Sequence, residues 1–97
     1  MDISIVLPCR NEEEALPACI HLIKKTLKQT NYSYEIIVSD SSTDKSPEIA
    51  LREKCILVKH DKVGYGYAYL EGVEHAKGKY LFLADAEDRK STRLNSS

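Results

Sequence analysis

Four short apolar runs limit what this chain can fold into. They are Ile3–Leu7 (ISIVL), Tyr34–Val38 (YEIIV), Cys55–Val58 (CILV) and Tyr80–Ala84 (YLFLA). Each is rich in β-branched or aromatic residues, and each is too short for a stable helix. Helical patterns separate them. Pro17 suits the first position of a helix, and Ile20, Ile23 and Leu27 then recur on one face. Leu16 lies just ahead, Lys24, Lys25 and Lys28 fall on other faces, and Gln29 to Asn31 end the pattern. Pro47 opens a second, short helix to about Arg52. Ala68, Val73 and Ala76 mark a third that reaches Lys77, with Gly78 read as its C-terminal cap. Tyr65, Tyr67 and Tyr69 alternate as in a strand, but Gly64, Gly66, Glu71 and Glu74 favour the helix. The order β-α-β-α-β-α-β with mostly unbroken apolar strands predicts an α/β fold. Its parallel sheet would carry helices on both faces, as in a doubly wound half-domain.

Composition removes several alternatives. Fourteen Lys and Arg against fifteen Asp and Glu leave a formal charge of −1, too little for a nucleic-acid-binding surface. No apolar run approaches the roughly 20 residues of a membrane helix. The strand-like run at Ile3 predicts no leader peptide. Cys9, Cys19 and Cys55 form no CxxC pair and read as reduced thiols of a cytoplasmic protein. A chain of 97 residues holds one domain.

Chemistry gathers where the strands end. Pro8, Cys9, Arg10, Asn11 and Glu12 follow the first strand, and Asp40 to Asp44 follow the second. Lys59, His60, Asp61, Lys62, Gly64 and Gly66 follow the third, and Asp85, Glu87 and Asp88 the fourth. In a parallel doubly wound sheet these loops converge on one edge, where such folds bind ligands. Carboxylates beside lysine and arginine at one edge call for cations or phosphates to balance them. Asp85 and Glu87 lie two apart in an extended segment and can point the same way, which suits Mg2+ or Mn2+. An acidic loop facing solvent is the plainer reading of that pair. Asp40 fits a ribose or base contact, or equally an Asx turn, whereas Asp44 fits a cap for the helix at Pro47. The first βα turn has no glycine, which disfavours a nicotinamide or flavin dinucleotide site. His60 sits at a strand end, His21 and His75 read as helix-surface residues, and the thiols show no nucleophile–base pattern.

Four strings, ISIVLPCRNEEE, EIIVSDSSTD, GYGYAYLEG and GKYLFLADA, occur in this order across residues 3–88. Together they resemble the N-terminal half of a family-2 glycosyltransferase with the Rossmann-like GT-A fold, closest to the dolichyl- or polyprenyl-phosphate sugar synthase branch. The resemblance implies metal-assisted, inverting transfer from a UDP- or GDP-sugar. It maps Pro8, Arg10, Asn11 and Glu12 onto the first donor-binding loop, and Asp40 onto the aspartate that contacts the base. Lys62, Gly64 and Gly66 map onto the loop lining the nucleotide and its phosphates, and Asp85 and Glu87 onto the metal-binding D-x-D. The implied partners are a nucleotide-diphosphate sugar and a lipid-phosphate acceptor at a cytoplasmic membrane face. The second loop departs from the family's Asp-Asp-Gly-Ser-Thr-Asp, and Glu87 replaces an aspartate. The pattern stops after Asp88, so residues 1–88 read as the donor-binding part of a larger domain, inactive alone. The expected catalytic base lies beyond Ser97, and RKSTRLNSS, residues 89–97, reads as a non-native or disordered tail. A non-catalytic nucleotide-binding α/β module is the alternative.

Overall fold

The computed structural model describes residues 1–85 and 95–96. In chain order the elements are β1 (Ile3–Cys9), α1 (Leu16–Lys28), β2 (Tyr34–Asp40), α2 (Ser46–Arg52), β3 (Ile56–Lys59), α3 (Tyr65–Val73), β4 (Tyr80–Leu83) and β5 (Asn95–Ser96). The sheet order is β3-β2-β1-β4-β5. The strands β1 to β4 are parallel, and β5 pairs antiparallel with Phe82 and Leu83 of β4. The chain steps from β1 out to β3, then crosses back to place β4 on the other side of β1. That reversal is the switch point of a doubly wound sheet.

The pleat of β1 sorts its side chains onto two cores. Ile3, Ile5, Leu7 and Cys9 join Leu16, Ile20, Ile23 and Leu27 of α1 and Ile49 and Ala50 of α2. Val6 turns the other way, to Ile37, Val58 and the half-buried Tyr69 and Val73 of α3. All seven β1 residues are buried, and each large aliphatic among them contributes about 1.5–3 kcal/mol.

Two glycines set how closely α3 and its exit approach the sheet. A Cβ on Gly72 would overlap Val6 Cγ1. A Cβ on Gly78 would lie 2.5 Å from the Ser4 amide nitrogen and 2.6 Å from Ser4 Oγ. Gly78 is therefore not the helix cap that its position suggests, and α3 stops at Val73 with Glu74 as its C-cap. The cause is a buried carboxylate on β2. Glu35 Oε2 accepts the Ser4 hydroxyl at 2.5 Å and the Lys77 N–H at 2.7 Å, while Ser4 Oγ accepts the Gly78 N–H at 2.7 Å. These side chains take the backbone donors that a longer helix would have used.

Pro8 lies inside β1 and not after it. Cys9 bonds toward β2, accepting the Ser41 N–H, whereas Val6 bonds toward β4, accepting the Ala84 N–H. By alternation Pro8 faces the β4 side, where the register ends at Val6 opposite Leu83. The missing proline donor falls where the ladder has already closed.

Alanine at Gly72 or Gly78 is expected to cost about 1–3 kcal/mol through overpacking. At Gly66, where nothing lies within 4 Å of an added Cβ, alanine is expected to stabilise by about 0.4–1 kcal/mol. Urea unfolding of the three variants checks the ranking.

Candidate functional site

The carboxyl ends of β1, β2, β3 and β4 lie on one edge of the sheet, and the first two loops there are stitched into a single platform. Asn11 takes φ +54°, a left-handed conformation that asparagine tolerates. Its Oδ1 accepts the Thr43 N–H at 2.8 Å and the Thr43 hydroxyl at 3.2 Å. In return, the N–H groups of Asn11, Glu12 and Glu13 donate to Ser42 Oγ (2.8 Å), Ser46 Oγ (3.2 Å) and Asp44 Oδ2 (3.1 Å). Asn11 thus serves this structure as a loop-to-loop latch. Asp44 Oδ1 also accepts the Ser46 N–H at 2.9 Å, an Asx turn ahead of α2; the N-cap itself is Lys45, which has no side-chain cap bond, so Asp44 is not the cap read from sequence. Burial pushes the Asp44 carboxyl up, but the bonds from Ser46 and Glu13 prevail and hold it below its ordinary 3.8.

Asp40 is fully buried at the end of β2. Its Oδ1 accepts the Ser42 hydroxyl at 2.6 Å and its Oδ2 the Ser42 N–H at 3.2 Å, forming the Asx turn. Its paired residue on β1 is Cys9, whose thiol burial pushes up to about 11. Ser42 was not singled out from sequence, yet it joins Asp40, Asn11 and Cys9. The signal available was its two-residue spacing from Asp40. Ser39, where the family pattern has an aspartate, donates its buried hydroxyl to the Ala68 carbonyl of α3 at 2.6 Å, a bond that an ionised carboxylate could not make.

The third loop enters through Gly64, the N-cap of α3, at φ +109°. A cleft of about 30 Å3 is lined by Cys9, Arg10, Ser41, Gly64, Tyr65 and Ala68, so Arg10 and Gly64, from different loops, border one cleft. Gly66 sits in the first turn of α3, with open space around its Cα. Lys62 Nζ pairs with Glu71 Oε1 at 2.9 Å and stands 5.9 Å from the Tyr67 ring centre. The Glu71 hydrogen bond raises the ammonium pKa of Lys62, and Lys62 lowers that of Glu71. His60 Nδ1 accepts the Lys62 N–H at 3.2 Å, while its buried Nε2 has no hydrogen-bond partner among the described residues. His21 meets Glu53 at 3.0 Å on the far side of the fold.

Asp85 follows β4, half-buried. The preceding Ala84 is buried, and its carbonyl accepts the Tyr69 hydroxyl at 3.1 Å. Burial, and then the charge of Asp85, raise the Tyr69 phenol above its ordinary value. Glu87 lies outside the described residues. Among the described residues no group of three or more His, Cys, Asp or Glu could hold a metal. A Mg2+ or Mn2+ ion held mainly by substrate phosphates and water needs only one or two protein carboxylates. Asp85 fits that part at the sheet's carboxyl edge. Cys9, Cys19 and Cys55 are free and buried.

The sequence profile described as "Glycosyl transferase family 2" matches residues 4–89. The chain is 41% identical over 85 residues to the low-salt glycan biosynthesis hexosyltransferase Agl6 of Haloferax volcanii, covering 88% of this chain and 21% of that protein. It is 33% identical to an uncharacterized glycosyltransferase of Mycobacterium bovis, covering 88% of this chain and 36% of that one. The fold matches mannosyl-3-phosphoglycerate synthase from Rubrobacter xylanophilus with a TM-score of 0.82 at 22% identity, over 94% of this chain and 32% of that one. It also matches glucosyl-3-phosphoglycerate synthase from Mycobacterium tuberculosis with a TM-score of 0.73 at 26% identity, over 88% of this chain and 33% of that one. That structure holds Mn2+, UDP and glucosyl-3-phosphoglycerate. The chain thus spans between a fifth and about a third of the length of these four proteins.

Because the folded pKa of Asp44 is depressed, its contribution is present above 3.8 and fades as pH falls through the folded value. The stability advantage of the wild type over Asp44→Asn is expected to hold at pH 6 and to shrink below pH 3.8, read by urea unfolding across pH. With thiol values near 11 for Cys9 and Cys55, a thiol reagent at pH 8 is expected to label neither at an appreciable rate in the folded chain.

Proposed function

The chain belongs to glycosyl transferase family 2, and on that premise we propose that its carboxyl edge binds the nucleoside diphosphate of a UDP- or GDP-sugar for inverting transfer of the sugar. The observation that carries this reading is the convergence of Arg10, Gly64 and the latched first two loops on one cleft beside the switch point. Arg10 is exposed there and supplies a planar cation for phosphate oxygens. The φ of Gly64 lets backbone turn into α3, whose first-turn N–H groups favour anionic oxygen. Lys62 would add a second cation on leaving Glu71. Asp40, fully buried and tied by Ser42, would hold the second loop in shape from beneath, and a direct contact with the base would require that turn to open. Pro8 and Glu12 would shape the floor of the first loop.

Asp85, with Glu87 as a second carboxylate, would hold Mg2+ or Mn2+. That ion would neutralise charge developing on the departing diphosphate. For the acceptor we propose a polyprenyl phosphate at a membrane surface, on the likeness of the strand-end motifs to that branch. Its phosphate oxygen is already anionic and would attack the anomeric carbon with little need of a base. Among the described residues no helix is long and apolar enough to cross a membrane.

Calorimetric titration with UDP, UDP-glucose, GDP and GDP-mannose, with and without Mn2+, tests the donor reading. One nucleotide class is expected to bind more tightly with Mn2+, and Asp85→Asn to lose about tenfold or more of that gain. Arg10→Ala is expected to weaken binding with and without metal. Absence of binding by every nucleotide, or an Asp85→Asn titration equal to wild type, would contradict it.

A further inference from the structure

The end of β4 is held from two directions. The Ala84 N–H donates to the Val6 carbonyl at 3.0 Å, which continues the β1 ladder. The Ala84 carbonyl accepts the Tyr69 hydroxyl at 3.1 Å, which reaches across from α3. Asp85 comes next: the first anchor fixes the Leu83–Ala84 peptide, and the second fixes the Ala84–Asp85 peptide that leads into it. Beyond Ala84 the described β1–β4 register has ended, and sheet hydrogen bonds alone do not fix the carboxylate.

Tyr69 can act as a fixed strut because α3 is itself immobilised beside it. The neighbouring Ala68 is buried and takes the Ser39 hydroxyl on its carbonyl. Gly72, three residues after Tyr69, lies directly on Val6. Tyr69 packs, half-buried, against the cluster of Val6, Ile37 and Val58. The helix is thus referenced to β1 and β2, and the phenol carries that reference to β4. Phenylalanine would fill the same space without the bond to Ala84.

We propose that Tyr69 is a positioning residue for the metal carboxylate: its hydroxyl fixes the Ala84 carbonyl and so aims Asp85 toward the ion that accompanies the donor diphosphate. The inference rests on the donor-site reading above, to which it adds a residue that makes no contact with the ligand. Removing the hydroxyl leaves a buried carbonyl unpaired and lets the Ala84–Asp85 peptide rotate. The consequence falls on metal affinity, since carboxylate direction governs it.

The test uses the whole chain, isotope-labelled, with Mn2+ as a paramagnetic probe. Broadening of the Asp85 amide is followed as Mn2+ is titrated, first alone and then with saturating UDP or GDP. Wild type, Tyr69→Phe, Asp85→Asn and the double variant are compared, and urea unfolding is measured for each. Tyr69→Phe is expected to raise the Mn2+ midpoint about tenfold, with metal-free nucleotide affinity unchanged. In the Asp85→Asn background the same change is expected to have no further effect on the midpoint. An unchanged midpoint in Tyr69→Phe overturns the proposal. So does a shift that persists undiminished without the Asp85 carboxylate, or one matched by an equal loss of metal-free nucleotide affinity, since either marks a general structural role. If nucleotide leaves the wild-type midpoint unmoved, the donor-site reading fails, while the titration with Mn2+ alone still decides the part played by Tyr69.

Discussion

A strand whose seven residues are all buried must be covered on two faces and paired on two edges, and β1 meets all four demands. The helices α1 and α2 cover one face and α3 the other, while β2 and β4 take the edges. The requirement for a second edge partner brings the chain back across the sheet after β3. That crossing creates the switch point and puts α3 opposite α1. The carboxyl edge therefore owes its loops to the apolar content of Ile3 to Leu7. No residue of the candidate site makes that placement by itself.

The in-register pairing of β1 with β2 extends beyond the strands. Ile3 stands opposite Tyr34 and Cys9 opposite Asp40, an offset of 31 residues. The loops keep nearly the same offset: Asn11 meets Ser42 and Thr43, Glu13 meets Asp44, and Glu12 meets Ser46. Small polar side chains supply the backbone partners that sheet hydrogen bonds no longer provide. The result is a floor whose polar groups are largely spoken for. Arg10 projects from it, and Lys62 lies nearby on a salt bridge that water can compete for.

Much of this architecture was legible in the residues. The apolar runs marked β1 to β4, and Pro17 and Pro47 marked the starts of α1 and α2, because strand burial and proline geometry are local signals. Boundaries governed by distant partners were not legible. Gly78 resembles a helix cap, but Glu35 and Ser4 take the backbone donors near it. Pro8 resembles a strand stop, but it lies on the side where the β4 ladder has ended. Convergence of Arg10, Asp40, Gly64 and Asp85 on one edge followed from element order. Their immediate partners did not, because Ser42 on Asp40, Glu71 on Lys62 and Tyr69 on Ala84 depend on register and helix rotation. The antiparallel β5 pairing at Asn95–Ser96 had no apolar signal in the sequence. Glu87 falls outside the described residues, so the second half of the D-x-E pair stands as a proposal.

The central claim is that the carboxyl edge around the β1–β4 switch point is a nucleoside-diphosphate platform. Chemical-shift mapping with UDP and with GDP in the presence of Mg2+ addresses it most directly. The expected result is one contiguous set of perturbed amides in residues 9–12, 40–46, 60–66 and 84–85. Perturbations confined to the opposite edge of the sheet or to the lysine face of α1, or none with either nucleotide, would contradict the claim.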